Sequence, residues 1–137
     1  MTDENRLRNL QEELALGDRS MKAAEALVAL QLWEEAVGRA YYAAFHHVRA
    51  LLFSLGLEAK THAGTHNLLY MHFVRPGTVH VTVADHLAEL QRYREQADYA
   101  RGFRLDEAHA RTLMGRAGGI CRACRDQLQA DGWLPTP

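Results

Sequence analysis

Apolar residues recur every three or four positions along most of the chain, the spacing that places them on one face of an α-helix. The pattern predicts one helix or two over Arg6–Leu30, with a possible break near Gly17, where Asp18 would cap the second part. It predicts another helix over Leu32–Leu55, which Gly56 ends. The first half of the chain is therefore predicted to be mostly helical, with few breaks.

The second half alternates helices with short breaks. The stretch "GLEAKTHAGTH" (56–66) is predicted to be a loop because it contains two glycines, and a short helix is expected over Asn67–Val74, before "RPG". After the β-branched "TVHVTV", which is too short to form a sheet by itself, helix returns over Ala84–Tyr99. Gly102 interrupts it, and Leu105–Ala130 forms the last long helix.

Four main helices in 137 residues predict an all-α fold, an antiparallel up-and-down four-helix bundle with a short extra helix. We expect a single domain over 1–137, with its core at about 4–130. No stretch approaches the roughly 18 unbroken apolar residues of a membrane span, and the polar start "MTDENRLRN" precedes no apolar signal core. We therefore expect a cytoplasmic protein with no membrane partner.

The formal net charge is −1, so the field of the whole molecule is close to neutral. Any attraction to nucleic acid must then come from a local arrangement of basic side chains.

The second predicted helix carries chemically useful side chains away from its core face. Arg39, Tyr42 and His46, here called the polar stripe, stand at positions i, i+3 and i+7, about 10 Å along one side of a helix. A solvated surface with Glu35 paired to Arg39 is the simpler interpretation of the same spacing. The core face comprises Trp33, Val37, Ala40, Tyr41, Ala44, Val48, Leu51, Leu52 and Leu55.

Between these two faces, Ala36, Ala43 and Ala50 recur at seven-residue intervals and form an alanine line. Small side chains allow another helix to approach closely. If that helix belonged to a second copy of the chain, the polar stripe would lie beside its symmetry mate. The alanine line is therefore compatible with a symmetric site shared by two copies.

Several short motifs occur together in order between Leu27 and Leu128. They are the segment "RAYYAAFH" from Arg39 to His46, the sequence "KTH" at 60–62, the phrase "HFVRPG" at 72–77, and Arg94 followed by "ADY" at 97–99. The ordered set resembles the HEPN superfamily, in particular its small stand-alone prokaryotic members of the UPF0332 type.

The resemblance implies a helical bundle, commonly dimeric, in a superfamily with many metal-independent endoribonucleases that often act as toxins of toxin–antitoxin or defence systems. Their signature is an arginine and a histidine separated by four to six residues. Arg39 and His46 match it at its upper limit, and Arg104 with His109 forms a second-choice pair at the start of the last helix.

For such an enzyme the resemblance implies a site without metal or cofactor. RNA carries its own nucleophile, the 2′-hydroxyl, so His46 would transfer a proton while Arg39 binds the phosphate. His46 of a second copy would supply the other proton transfer. The substrate-binding or supporting residues would be Tyr42, His62, Arg94, Asp98 and Tyr99.

Other interpretations remain open. A non-catalytic HEPN protein could use Arg39 and His46 to bind a nucleotide phosphate or a carboxylate of a nucleotidyltransferase-type antitoxin partner. A metal site could use the His62-x3-His66 spacing, although Gly64 argues against a helix there. Cys121-x2-Cys124 could belong to a zinc or redox site, but small apolar cysteines also suit the buried face of a helix.

Overall fold

A computed structural model describes residues 1–136 of the chain, and all regular secondary structure within them is helical. No helix in this part of the chain is long and apolar enough to cross a membrane. The prediction of an all-α fold is thus confirmed. The five α-helices are α1 (Asp3–Ala29), α2 (Trp33–Phe53), α3 (His62–Leu69), α4 (Val81–Tyr99) and α5 (Glu107–Ala130), and a π-helical turn (Tyr70–Val74) follows α3 directly.

The second helix, α2, is the centre of the bundle. It packs against α1 over the largest interhelical interface, and against α5 and α4 on its other sides. Its predicted core face is buried along most of its length, including Tyr41, which is fully enclosed. The ends differ, because Trp33 is only partly buried and Leu55, beyond the end of α2 at Phe53, is 43% exposed.

The predicted alternative of a break near Gly17 is wrong, since α1 is continuous. Gly17 is buried where α1 crosses α2, and a methyl group added there would lie 2.5 Å from Nδ1 of His47. The glycine permits a close approach rather than a turn. Asp18 does not cap a helix but forms an ion pair with Arg125 of α5 at 2.7 Å.

The region around α3 differs most from the prediction. The helix starts at His62, so residues 62–66 are not part of the loop. Thr61 caps it by accepting a hydrogen bond from the backbone N–H of Gly64 at 2.9 Å, and Thr65 is buried. A side-chain cap and burial therefore outweigh the low helix propensity of glycine.

The boundaries of α4 and α5 lie close to those predicted. Helix α4 starts at Val81, three residues earlier than expected, because the His80 ring caps it by accepting from the N–H of Thr82 at 3.2 Å. Gly102, with φ of 74°, interrupts the chain after α4 as predicted. Asp106 caps α5.

The alternative in which the alanine line forms a seam between two copies is wrong. Ala36, Ala43 and Ala50 are fully buried within a single chain. The backbone at Ala43 lies close to α1, because a methyl group on Gly17 would meet the Ala43 carbonyl oxygen at 3.1 Å. These small side chains allow two helices of one molecule to pack closely, so they cannot form a seam between copies.

Candidate functional site

The N-terminal half of the polar stripe meets α4 at Tyr42. The guanidinium of Arg39 stacks over the Tyr42 ring, 4.9 Å from its centroid. Arg94 of α4 lies 5.4 Å from the same centroid, and its Nη1 donates a hydrogen bond to the Tyr42 hydroxyl at 2.8 Å. Arg94 also forms an ion pair with Asp98 at 3.2 Å. The structure therefore brings Arg39, Tyr42, Arg94 and Asp98 together.

These residues line an open cleft of about 620 Å³ between α2 and α4. Its other lining residues are Leu27, Glu34, Glu35, Gly38 and Ala97. Within residues 1–136, Arg39 forms no ion pair, so the simpler interpretation, in which Glu35 pairs with Arg39, is wrong. Arg39 is an exposed cation beside an aromatic ring, free to bind an incoming anion.

His46 lies two turns further along α2 and does not line the cleft. Its Nδ1 is 2.7 Å from Oε2 of Glu13 on α1, and its side chain is 22% exposed. Arg49 donates from Nε to the other oxygen of the same carboxylate at 3.2 Å. The imidazole is thus neither sealed in the core nor free to rotate.

Glu13 is ionised at neutral pH. Its burial raises the pKa, but the hydrogen bond with His46 and the positive charge of Arg49 outweigh burial and hold the pKa of Glu13 below its ordinary value. The carboxylate therefore acts as an acceptor toward both of its partners.

An aromatic cluster connects the two parts of the stripe. The His62 ring stacks on Phe45 with centroids 4.3 Å apart, and Phe45 also contacts His46 at a centroid distance of 5.9 Å. Nδ1 of His62 lies 2.6 Å from the hydroxyl of buried Tyr41. Burial, followed by the positive charge of Arg94, lowers the pKa of His62, so this imidazole is neutral at neutral pH.

Three predicted residues lie apart from this arrangement. Tyr99 is 80% exposed at the end of α4 and does not line the cleft. Arg104 precedes α5, as its pairing with His109 requires, but donates to the Phe103 carbonyl, while Nε2 of His109 lies 3.0 Å from the Tyr93 hydroxyl. Within the described chain neither makes a hydrogen bond to the polar stripe.

Sequence reasoning missed Glu13. Its sequence signal is weak, namely a glutamate beside Leu10, Leu14 and Gly17 on the buried edge of α1. The bond from Arg49 to Glu13 likewise depends on how α1 and α2 cross.

The alternative metal and redox sites have little support from the geometry. His62 and His66 do share a helix, contrary to the expectation from Gly64. No group of three or more His, Cys, Asp or Glu side chains in residues 1–136 is arranged to hold a metal ion. Cys124 is buried, and burial raises the pKa of Cys121 to about 12, so that thiol stays protonated at neutral pH.

The fold and the site define a class of protein: a small all-α bundle whose central helix presents an arginine and a histidine on its polar side. The family model described as the HEPN domain matches residues 11–127. The chain belongs to the HEPN domain family.

Similar proteins carry toxin or family names. The archaeon Methanocaldococcus jannaschii has "Putative toxin MJ0142", 27% identical over 107 residues, which covers 78% of this chain and 73% of the relative. "Putative toxin MJ0605" of the same organism is 32% identical, covering 66% of this chain and 67% of the relative. "UPF0332 protein glr0978" of Gloeobacter violaceus is 33% identical, covering 65% and 71%.

Proposed function

We propose that the protein is a metal-independent endoribonuclease of the toxin type, in which Arg39 binds the scissile phosphate and His46 transfers a proton. One observation carries the proposal: Nδ1 of His46 is held by the Glu13 carboxylate, while Nε2 is not buried and has no hydrogen-bond partner within residues 1–136. The toxin names of the two archaeal relatives support the biological role.

The chemistry requires few groups because RNA supplies the nucleophile. The 2′-hydroxyl attacks the adjacent phosphorus, the 5′-oxygen leaves, and a 2′,3′-cyclic phosphate remains. Arg39 stabilises the charge that builds on the phosphoryl oxygens with its planar donors. The ring of Tyr42 offers a stacking surface for a neighbouring base, and Arg94 and Asp98 hold Tyr42 in place.

Cleavage also needs a base and an acid. His62 is suited to be the base, since its lowered pKa keeps it neutral at neutral pH. His46 is suited to be the acid, since Glu13 holds its Nδ1 and leaves Nε2 for the departing 5′-oxygen. Both rings contact Phe45, so a single chain can supply both groups. The homodimer expected from the family resemblance would instead use His46 from each copy.

The purified protein should cleave RNA in the presence of EDTA and leave cyclic phosphate ends. His46→Gln should lower the rate by about 10²- to 10⁴-fold, the usual contribution of general acid–base catalysis. Arg39→Gln should also slow cleavage, since it removes the phosphate ligand. The measurement is cleavage of a labelled RNA, with product ends identified by mass spectrometry.

His72→Gln is the matched control, because His72 is an exposed histidine on the π-helical turn and should leave the rate unchanged. Circular dichroism would verify that each variant is folded. Equal cleavage by His46→Gln and the native chain would refute the assignment.

A second candidate function is a non-catalytic binding module that works with a nucleotidyltransferase-type partner. The mixed charge of the cleft favours it, since Glu34, Glu35 and Asp98 lie there beside Arg39 and Arg94. Three carboxylates repel a polyanion but complement a protein surface of mixed charge. Absence of cleavage, together with binding of a purified nucleotidyltransferase that Arg39→Gln weakens, would favour this function.

A further inference from the structure

We propose that Glu13 is a positioning residue that confines proton exchange of His46 to its Nε2 atom. The catalytic consequence rests on the proposed ribonuclease function. The effect on the imidazole itself does not, so the two can be tested separately.

The proton assignment follows from the donor and acceptor chemistry of the pair. An ionised carboxylate only accepts hydrogen bonds, so the nitrogen 2.7 Å from Oε2 of Glu13 must carry a hydrogen. That nitrogen is Nδ1, and it keeps its hydrogen in both the neutral and the protonated imidazole. The proton that His46 gains and loses is therefore the one on Nε2.

Arg49 fixes the carboxylate itself. It donates from Nε to Oε1 of Glu13 at 3.2 Å and from Nη1 to the Ala59 carbonyl at 3.2 Å. Its Nη2 lies 3.6 Å from Glu58. With each oxygen engaged and only 12% of its side chain exposed, Glu13 has little freedom to turn away from His46.

The other charged or titratable groups around His46 do not replace this function. They are Arg49 and His47 on its own helix and His62 on α3, and Glu13 is the α1 side chain that bonds to His46 within residues 1–136. Glu58 pairs with Arg49 rather than with the imidazole. Glu13 is thus the one carboxylate bound to His46 within the described residues.

The orientation suits the proposed chemistry. Since Nδ1 is bonded to Glu13 of α1, Nε2 is the ring nitrogen left for a ligand, and Nε2 is not buried. Without Glu13, a neutral imidazole could carry its hydrogen on either nitrogen and its ring could rotate. The correct nitrogen would then be available in only part of the molecules.

The test is ¹⁵N NMR of the histidine rings in the full chain. In its neutral form, native His46 should show a protonated Nδ1 and a bare Nε2. Glu13→Gln should give a mixture of both tautomers, because an amide can donate as well as accept. Glu12→Gln is the matched control, since Glu12 is an exposed neighbour without a side-chain partner in residues 1–136, and it should leave the spectrum unchanged.

Kinetics provide the second readout. If the ribonuclease function holds, Glu13→Gln should lower kcat by about 10²-fold or more with KM nearly unchanged, and it should alter the pH profile of kcat. A structural role alone would lower the active fraction without changing the profile.

Failure of the proposed role of Glu13 can be distinguished from failure of the proposed ribonuclease function. The predicted tautomer without any RNA cleavage would support Glu13 as a positioning residue and reject the nuclease function. RNA cleavage with a protonated Nε2 in the neutral native ring, or an unchanged tautomer in Glu13→Gln, would overturn the proposed role of Glu13.

Discussion

His47 neighbours His46 in sequence but has a different role, because α2 directs it into the protein. It is 1% exposed, and its Nδ1 donates to the Ala43 carbonyl at 2.8 Å. Its Nε2 accepts a hydrogen bond from Nε of Arg125 at 3.2 Å. With one nitrogen donating and the other accepting, the ring is neutral and joins α2 to α5.

The buried neutral ring makes stability depend on pH. Burial lowers the pKa of His47 in the folded chain, whereas an unfolded histidine titrates near about 6.5. The unfolded state therefore binds more protons as pH falls below this value, and stability is lost. Between pH 7 and pH 5, the free energy of unfolding should fall more for the native chain than for His47→Gln.

Urea unfolding at the two pH values would measure this difference. His72→Gln serves as the control, because His72 is exposed and its loss should leave the native pH dependence in place. An identical pH dependence in His47→Gln and the native chain would show that His47 is not the group responsible.

Residues of the site could be predicted from the sequence where they share one face of a single helix. Spacing along one helix placed Arg39 and Tyr42 on the same side, and the family resemblance added Arg94. Glu13 was not predictable, because its partner His46 is 33 positions away and the contact depends on the crossing of α1 and α2. Local periodicity contains no information about that crossing.

The close crossing of α1 and α2 leads to a prediction about Gly17. Gly17→Ala should gain about 1 kcal/mol of helix propensity but should still destabilise the fold, by about 1–3 kcal/mol net. The reason is that the new methyl group would lie 2.5 Å from Nδ1 of His47, whose ring is buried and cannot move aside.

Gly115→Ala is the matched control in α5. A methyl group there would meet no atom within 4 Å, so it should stabilise the fold by up to about 1 kcal/mol. Denaturant unfolding of both variants gives the comparison. A stabilised Gly17→Ala variant would contradict the close approach of α1 to His47.

The sequence predicted which helices exist better than it predicted where each helix begins and ends. The long amphipathic segments α2, α4 and α5 lie close to their predicted bounds because each pairs a clear apolar period with a glycine or an aspartate at one end. Helix α3 was partly missed, since a threonine cap and a buried threonine outweigh the glycine inside it. No simple sequence pattern marks the π-helical turn that follows.

The buried alanine line bears on any assembly of the whole molecule. Ala43→Leu should destabilise the chain by about 1–3 kcal/mol, because it overfills a fully buried site inside one molecule. Its oligomeric state by sedimentation velocity should equal that of the native chain. Ala15→Leu, on the exposed side of α1, should change stability by less than about 0.5 kcal/mol.

Loss of a dimer in Ala43→Leu with unchanged stability would restore the alanine line as a seam between copies. Any homodimer, still a prediction from the family resemblance, must otherwise use a different surface.

The fold class could be predicted from the sequence because apolar residues that recur with a period of 3.6 residues indicate helices that pack through one face. The order in which the helices pack did not follow, since the alanine line suits a neighbour from the same chain or from another copy equally well. Only the arrangement of the whole chain decides between these, by burying Ala36, Ala43 and Ala50 inside one molecule.

The two halves of the polar stripe also depend on different parts of the chain. The carboxylate that holds His46 comes from α1. The arginine that holds Tyr42 is Arg94 of α4, which lies 52 positions after Tyr42 in the sequence. As a nascent polypeptide leaves the ribosome, α1 and α2 can pair while α4 is still being synthesised. The histidine would then be oriented early in translation, and the wall of the cleft completed only once Arg94 has emerged.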